Sequence, residues 1–151
     1  MAALPKIVLF LGLDDIINDN FEHYLHDGFF NLKNEFHFVH ILDHDNKGSF
    51  PPSVNTDDDS AVEKFINDKF DGVAAKLWGD SAEKPKVEKS IIYHQEAKLR
   101  ALNYLKEKNA DSCVVVTRGE QGVEGVFKNS FAYYLVANAP CDVLVLRPNK
   151  N

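Results

Sequence analysis

The sequence predicts a three-layer α/β sandwich built on a five-stranded, doubly wound parallel sheet. Three observations predict it. Short apolar runs recur: KIVLFLGL from Lys6 to Leu13, FHFVHIL from Phe36 to Leu42, SCVVV from Ser112 to Val116, and VLVL from Val143 to Leu146. A strand covered on both faces reads this way, because helices lie on each side of a parallel sheet. Segments of helical periodicity separate the runs, and regular alternation of strand and helix implies right-handed crossovers. The last third, Asp111 to Pro148, carries one unit entire: buried strand, glycine-punctuated loop, helix, short turn, second buried strand.

Taken in order, the first run ends at Asp14 and Asp15, and a helical pattern follows with Ile17, Phe21, Tyr24, Leu25 and Leu32 on one face. After the second strand, the polar stretch from Asp43 to Ser60, with Pro51, Pro52 and the run Asp57, Asp58, Asp59, predicts a mobile loop. Asp59 or Ser60 is placed to cap a helix bearing Val62, Phe65, Ile66, Val73 and Leu77, with Gly79 just past its end. Val87 to Tyr93 is a third, weaker strand. Gln95 to Asn109 is a strong helix that offers Leu99, Leu102 and Leu105 to the core. Ser112–Val116 and Val143–Leu146 are strands four and five. The helix between them is expected to start near Gly122 and to carry Phe127, Tyr134 and Leu135. Five strands and four helices result, in a single domain spanning residues 1–151, without internal repeat or linker.

Bulk properties exclude several classes. The chain is 44% apolar and 26% charged, a composition that folds. A formal net charge of −6 argues against a nucleic-acid backbone or an anionic membrane as the main partner. No apolar run approaches the roughly 20 residues of a membrane span, and no secretory signal is evident. Cys113 and Cys141 lie in or beside predicted buried strands, so reduced, packing thiols and a cytoplasmic location are expected.

Chemistry is expected at the loop that leaves strand four. A glycine-rich turn at the carboxyl end of a strand and the start of a helix offers free backbone N–H groups, where α/β sheets commonly hold anions. Gly119, Gly122 and Gly125 also satisfy a plain strand-to-helix turn, and Arg118 reads as a phosphate contact or, more simply, as a surface ion pair. Asp14 and Asp15 admit a phosphorylatable receiver site, but Tyr93-His94 and Arg147-Pro148 stand where that chemistry needs an aspartate and a lysine. Five of six histidines fall between His23 and His44, and His23 and His26 are spaced to reach one metal on a helix. No cysteine or tight acid cluster completes that site in the sequence, so no metal is expected. No serine sits on a G-x-S-x-G elbow, and no catalytic residue is assigned. Trp78, with Phe65 and Leu77, reads as core or as a dimer-side contact.

From Asp111 to Pro148 the chain resembles the universal stress protein family. The text that carries the resemblance is Ala110-Asp111, Val116-Thr117-Arg118-Gly119, and Ala139-Pro140-Cys141-Asp142-Val143-Leu144-Val145-Leu146-Arg147-Pro148. Val39-His40-Ile41-Leu42-Asp43 and Lys6-Ile7-Val8 through Asp14 agree with the family's first two strands. The resemblance implies an adenine nucleotide alpha hydrolase-like fold and a regulatory rather than rapidly catalytic protein. It further implies ATP or another adenine nucleotide, with magnesium, as ligand.

ATP-binding members carry G-x-x-G, nine residues, then G-[S/T]. Laid on this chain, Val116 takes the first glycine position, Gly119 the second, and Asn129-Ser130 the final pair. Val116 crowds a backbone approach that glycine would permit, whereas asparagine tolerates left-handed geometry better than most residues. Ser130 keeps the hydroxyl. Adenine and ribose contacts are implied at Asp14 and Ile41. The nucleotide-binding set is therefore Asp14, Ile41, Val116, Arg118, Gly119, Asn129 and Ser130. A second reading is a nucleotide-free dimeric interaction module, favoured by Val116. Slow ATP hydrolysis is a third, lacking an identified water-positioning group. If the order is doubly wound, strand five is an unpaired apolar edge that invites a homodimer, with Asp142 a departure from the family's usual proline. The protein partner of a regulatory loop from Arg118 to Ser130 is not named by the sequence.

Overall fold

The structure, a computed structural model, describes residues 4–12, 33–42, 50–79, 83–116 and 131–146. Eight elements run in the order β1 (Lys6–Phe10), β2 (Glu35–Leu42), α1 (Asp59–Trp78), β3 (Lys86–Tyr93), α2 (Ala97–Lys108), β4 (Ser112–Val116), α3 (Phe131–Asn138) and β5 (Asp142–Leu146). The expected helix at Ile17–Leu32 and the expected start of the last helix near Gly122, with Phe127, lie outside the described residues. The five strands are all parallel, in the order β3-β2-β1-β4-β5. This is the doubly wound sheet that the apolar runs predict.

Alternation along each strand divides the core into two layers. On one face Ile7, Leu9, Phe36, Phe38 and Val114 meet Val62, Ile66, Phe70, Val73 and Leu77 of α1. Those α1 positions recur at three- and four-residue steps, one stripe of a helix. Trp78 finishes the stripe as core, its ring stacked 5.9 Å from Phe38 at an interplanar angle of 9°. On the other face Val8, Phe10, Val39, Cys113 and Val115 meet Ala101, Tyr104 and Leu105 of α2 and Ala132 and Leu135 of α3.

Several expected boundaries shift, each for a local reason. Asp58, not Asp59 or Ser60, caps α1, its carboxylate accepting from the Ser60 N–H at 3.0 Å. Gly79 ends α1 at φ 56°, a left-handed angle that glycine adopts without penalty. The polar stretch expected to form a mobile loop anchors Phe50 in the core, 8% exposed and edge-on to Phe65 at 5.6 Å. Leu99 is not core: it is 43% exposed. The inward stripe of α2 is Ala101, Tyr104 and Leu105, and Leu99 lies two residues, about 200° of helix rotation, from Ala101. β1 is shorter than its apolar run, since its strand pairing ends at Phe10.

Candidate functional site

Strand order fixes where a ligand belongs. From β1 the chain moves outward to β2 and β3 on one side, and β4 and β5 lie on the other. The crevice outside the carboxyl ends of β1 and β4 is therefore the topological switch point, where open α/β sheets bind ligands. The β1–β4 ladder closes at Phe10–Val115, while β4 continues against β5 to Val116–Leu146.

Both ends of the segment 117–130 attach at this place. Val116, its last described neighbour on one side, follows the residue paired with Phe10. Phe131, its neighbour on the other side, sets its ring edge-on to Phe10 at 5.4 Å and 78°. Beside Phe131 opens a cleft of about 580 Å³, lined mainly by the start of α2 (Gln95 to Leu99) together with Phe131 and Tyr134.

The exit of β1 is held against β2. The Leu11 N–H donates to the Val39 carbonyl at 2.9 Å. The His40 Nδ1–H donates to the Leu11 carbonyl at 2.8 Å, since a carbonyl only accepts. That assigns the neutral Nδ1–H tautomer. Burial pushes the imidazole below its ordinary pKa, and the bond to Leu11 offsets part of the shift. Leu11 is 4% exposed, so its carbonyl depends on such a donor.

Of the residues expected from the sequence, Ile41 lies half-buried near the end of β2, on the face that packs against α2 and α3. Val116 is the last residue of β4, and its backbone borders the crevice. Asp14, Arg118, Gly119, Asn129 and Ser130 lie outside the described residues, as do His23 and His26. Asp111 is brought to the opposite end of the sheet. Its carboxylate accepts from the Lys6 N–H at 2.7 Å, and its own N–H donates to the Lys6 carbonyl at 2.9 Å. The aspartate before strand four thus joins β1 to β4 rather than touching the crevice.

Sequence reasoning missed two polar features. His40 was noted only as part of the strand-two segment, and only the β1–β2 register reveals its contact. At the amino end of β2 and β3, Glu35 and His37 are buried beside Glu88 and Lys86. The hydrogen bond from Lys86 holds the Glu35 carboxyl below its usual range, and Glu35 raises Lys86 in return. Buried charged residues at alternate positions of β2 were the available signal; their partners across the sheet were not.

The cysteines do not form a disulfide. Burial pushes both thiols up, Cys113 the more deeply. No helix among the described residues is long and apolar enough to cross a membrane.

The family model described as "Universal stress protein family" matches residues 30–147. No curated protein sequence matches the chain. Solved structures do. A universal stress protein in complex with cAMP aligns at a TM-score of 0.66 and 13% identity, over 98% of this chain and 100% of its own. UspA from Lactobacillus plantarum aligns at 0.64 and 18% identity, over 97% and 100%. A family protein from Arabidopsis thaliana with AMP bound aligns at 0.56 and 15% identity, over 97% and 93%. At these identities the likeness is one of fold.

Proposed function

The chain belongs to the universal stress protein family, and on that premise we propose that it binds an adenine nucleotide at the carboxyl ends of β1 and β4. The observation that carries the proposal is the double attachment at Phe10. Val115 pairs with it, and Phe131 packs on it, so the segment bearing Arg118, Gly119, Asn129 and Ser130 leaves and re-enters the described structure at the switch point. Solved relatives with cAMP and AMP support the ligand class. ATP with magnesium is the fuller form of the same reading. The role is regulatory: nucleotide orders the segment from Arg118 to Ser130 and so alters a partner surface. No fast turnover is proposed, and the site of action is cytoplasmic.

A homodimer through β5 belongs to this reading. The two sheet edges differ in chemistry. β3 carries Lys86, Glu88 and Lys89, charges that guard an edge, whereas β5 reads DVLVL with one acid at its start. Pairing about a two-fold axis therefore favours β5. A monomer by light scattering at micromolar concentration removes the dimer from the proposal.

Val116 favours a second reading, a nucleotide-free interaction module, because it stands where the ATP-binding pattern has glycine. Freshly purified protein, denatured and analysed by mass spectrometry, separates the two. Released ATP, ADP or AMP supports binding. No released nucleotide, together with no calorimetric heat at millimolar ATP and magnesium, selects the interaction module.

A further inference from the structure

At the end of the sheet away from the switch point, Glu35, His37 and Glu88 converge beneath α2. The parallel register sets Glu35 beside Lys86 and His37 beside Glu88. Glu35 and His37 alternate on β2, so both project to the same face as Tyr104, whose ring lies 6.4 Å from that of His37. One ligand atom from each of Glu35, His37 and Glu88 lies within 4.8 Å of the others. Glu35 is 8% exposed and His37 2%.

Chemistry assigns the protons. Glu88 Oε2 stands 3.2 Å from His37 Nδ1, and an ionised carboxylate accepts only, so Nδ1 carries the hydrogen. The Tyr104 hydroxyl, also 3.2 Å from Nδ1, adds a second contact on that side. Nε2 then presents a lone pair. It is buried and, among the described residues, has no hydrogen-bond partner. Glu35 Oε1 faces it at 3.7 Å, another acceptor and too far for a hydrogen bond. Two buried acceptors aimed at one gap call for a cation between them. With metal–ligand bonds of about 2.1 Å, a 3.7 Å separation corresponds to a ligand–metal–ligand angle of about 120°, near the tetrahedral value. A positive charge already sits at the mouth. Lys86 Nζ is 2.9 Å from Glu35 Oε1 and 3.9 Å from Glu88 Oε1, on a side chain 63% exposed.

We propose that Glu35 Oε1 and His37 Nε2 bind a divalent transition metal, zinc above others, with Glu88 orienting the imidazole and Lys86 as the competing cation. A mixed nitrogen and oxygen donor set suits zinc, whereas calcium and magnesium take oxygen alone. The Nδ1–H to carboxylate contact is the arrangement that fixes a metal-binding histidine in the correct tautomer. Water completes the coordination, which makes the site exchangeable rather than a closed structural one. The cluster is independent of the nucleotide crevice, since it lies at the opposite ends of the strands.

The test is a zinc titration of the tag-free, 151-residue chain against a chromophoric chelator. One site is expected. Glu35→Gln keeps the shape of the side chain and should weaken that site by about tenfold or more. Lys86→Ala, at an exposed position, should tighten it several-fold by removing the competitor. In long-range nitrogen–proton NMR spectra, zinc should move the His37 Nε2 resonance while Nδ1 stays protonated. The proposal is overturned if the native chain binds no zinc, if Glu35→Gln binds as the native chain does, or if Lys86→Ala leaves affinity unchanged. It is equally overturned if binding disappears in a His23→Ala, His26→Ala double variant and persists in Glu35→Gln.

Discussion

Replacing His40 by leucine tests whether the exit of β1 is pinned as the geometry indicates. The substitution keeps an apolar body of similar reach and removes the Nδ1–H that donates to the Leu11 carbonyl at 2.8 Å. Leu11 is 4% exposed, so water has little access to replace the donor. Losing this partly buried bond and leaving its acceptor unsatisfied costs about 1–3 kcal/mol. For a chain of this size each kcal/mol moves Tm by roughly 2–4 °C, so a fall of about 2–12 °C is expected. Urea unfolding at pH 7 gives the free energy directly. The pH dependence supplies a second readout with a definite sign. The folded pKa of His40 lies below its ordinary value because burial disfavours the charged ring. Between that depressed value and about 6.5 the unfolded chain binds more protons than the folded one. The contribution of His40 is thus fully present above about pH 6.5 and is lost as pH falls toward the folded pKa. His40→Leu should therefore lose less stability than the native chain between pH 7 and pH 5. Equal stability at pH 7, or an unchanged slope below it, would refute the reasoning. Nucleotide affinity measured in the same variant shows whether the pinned exit serves the crevice.

Four further outcomes are expected. Ser130→Ala should weaken nucleotide binding by about 1 kcal/mol or more if that hydroxyl meets a phosphate, as calorimetry would register; unchanged affinity removes Ser130 from the site. Phe70, 1% exposed and edge-on to Phe38 at 6.0 Å, should cost about 3–5 kcal/mol when replaced by alanine, measured by urea unfolding. In native protein a thiol reagent should modify Cys141 slowly and Cys113 only on unfolding, because Cys113 is fully buried and its thiol pKa is pushed up; rapid labelling of both, followed by mass spectrometry, would contradict the packing. Tyr93, partly buried and with its hydroxyl donating to Glu63 Oε1 at 3.0 Å, should ionise near a pKa of about 12 in an alkaline absorbance titration, and Tyr93→Phe should delete that step.

Legibility in the sequence followed the range of the interactions. β1, β2, β4 and β5 were visible because burial on two faces writes a continuous apolar run, a signal contained within each segment. The helix α1 was visible for the same reason, since Val62, Ile66, Val73 and Leu77 repeat on one face without reference to anything distant. Its cap moved by one residue because three consecutive aspartates compete and only backbone geometry chooses Asp58. Leu99 misled because leucine spacing in Gln95–Asn109 suggests one stripe, whereas Leu105 is buried, Leu99 is exposed, and Tyr104 takes the interior position beside Leu105. The contacts of His40 and the grouping of His37 with Glu88 depend on strand register, and β2 and β3 are separated by the whole of α1. No local pattern encodes that pairing.

The two ends of the sheet therefore differ in how their chemistry is specified. At the carboxyl ends, the loop motif is written contiguously from Val116 to Ser130, and the fold only has to present it; both flanks meet Phe10. At the amino ends, Glu35, His37, Lys86 and Glu88 acquire their roles only through the β2–β3 register. A one-residue slip would turn every one of those side chains to the other face. The buried Glu35 carboxylate penalises wrong registers more heavily than an apolar side chain would, because without Lys86 it would have to be desolvated among core residues. The cluster accordingly helps select the strand pairing that places Leu42 and Tyr93 level with one another. The separate β1–β2 register brings His40 within reach of Leu11.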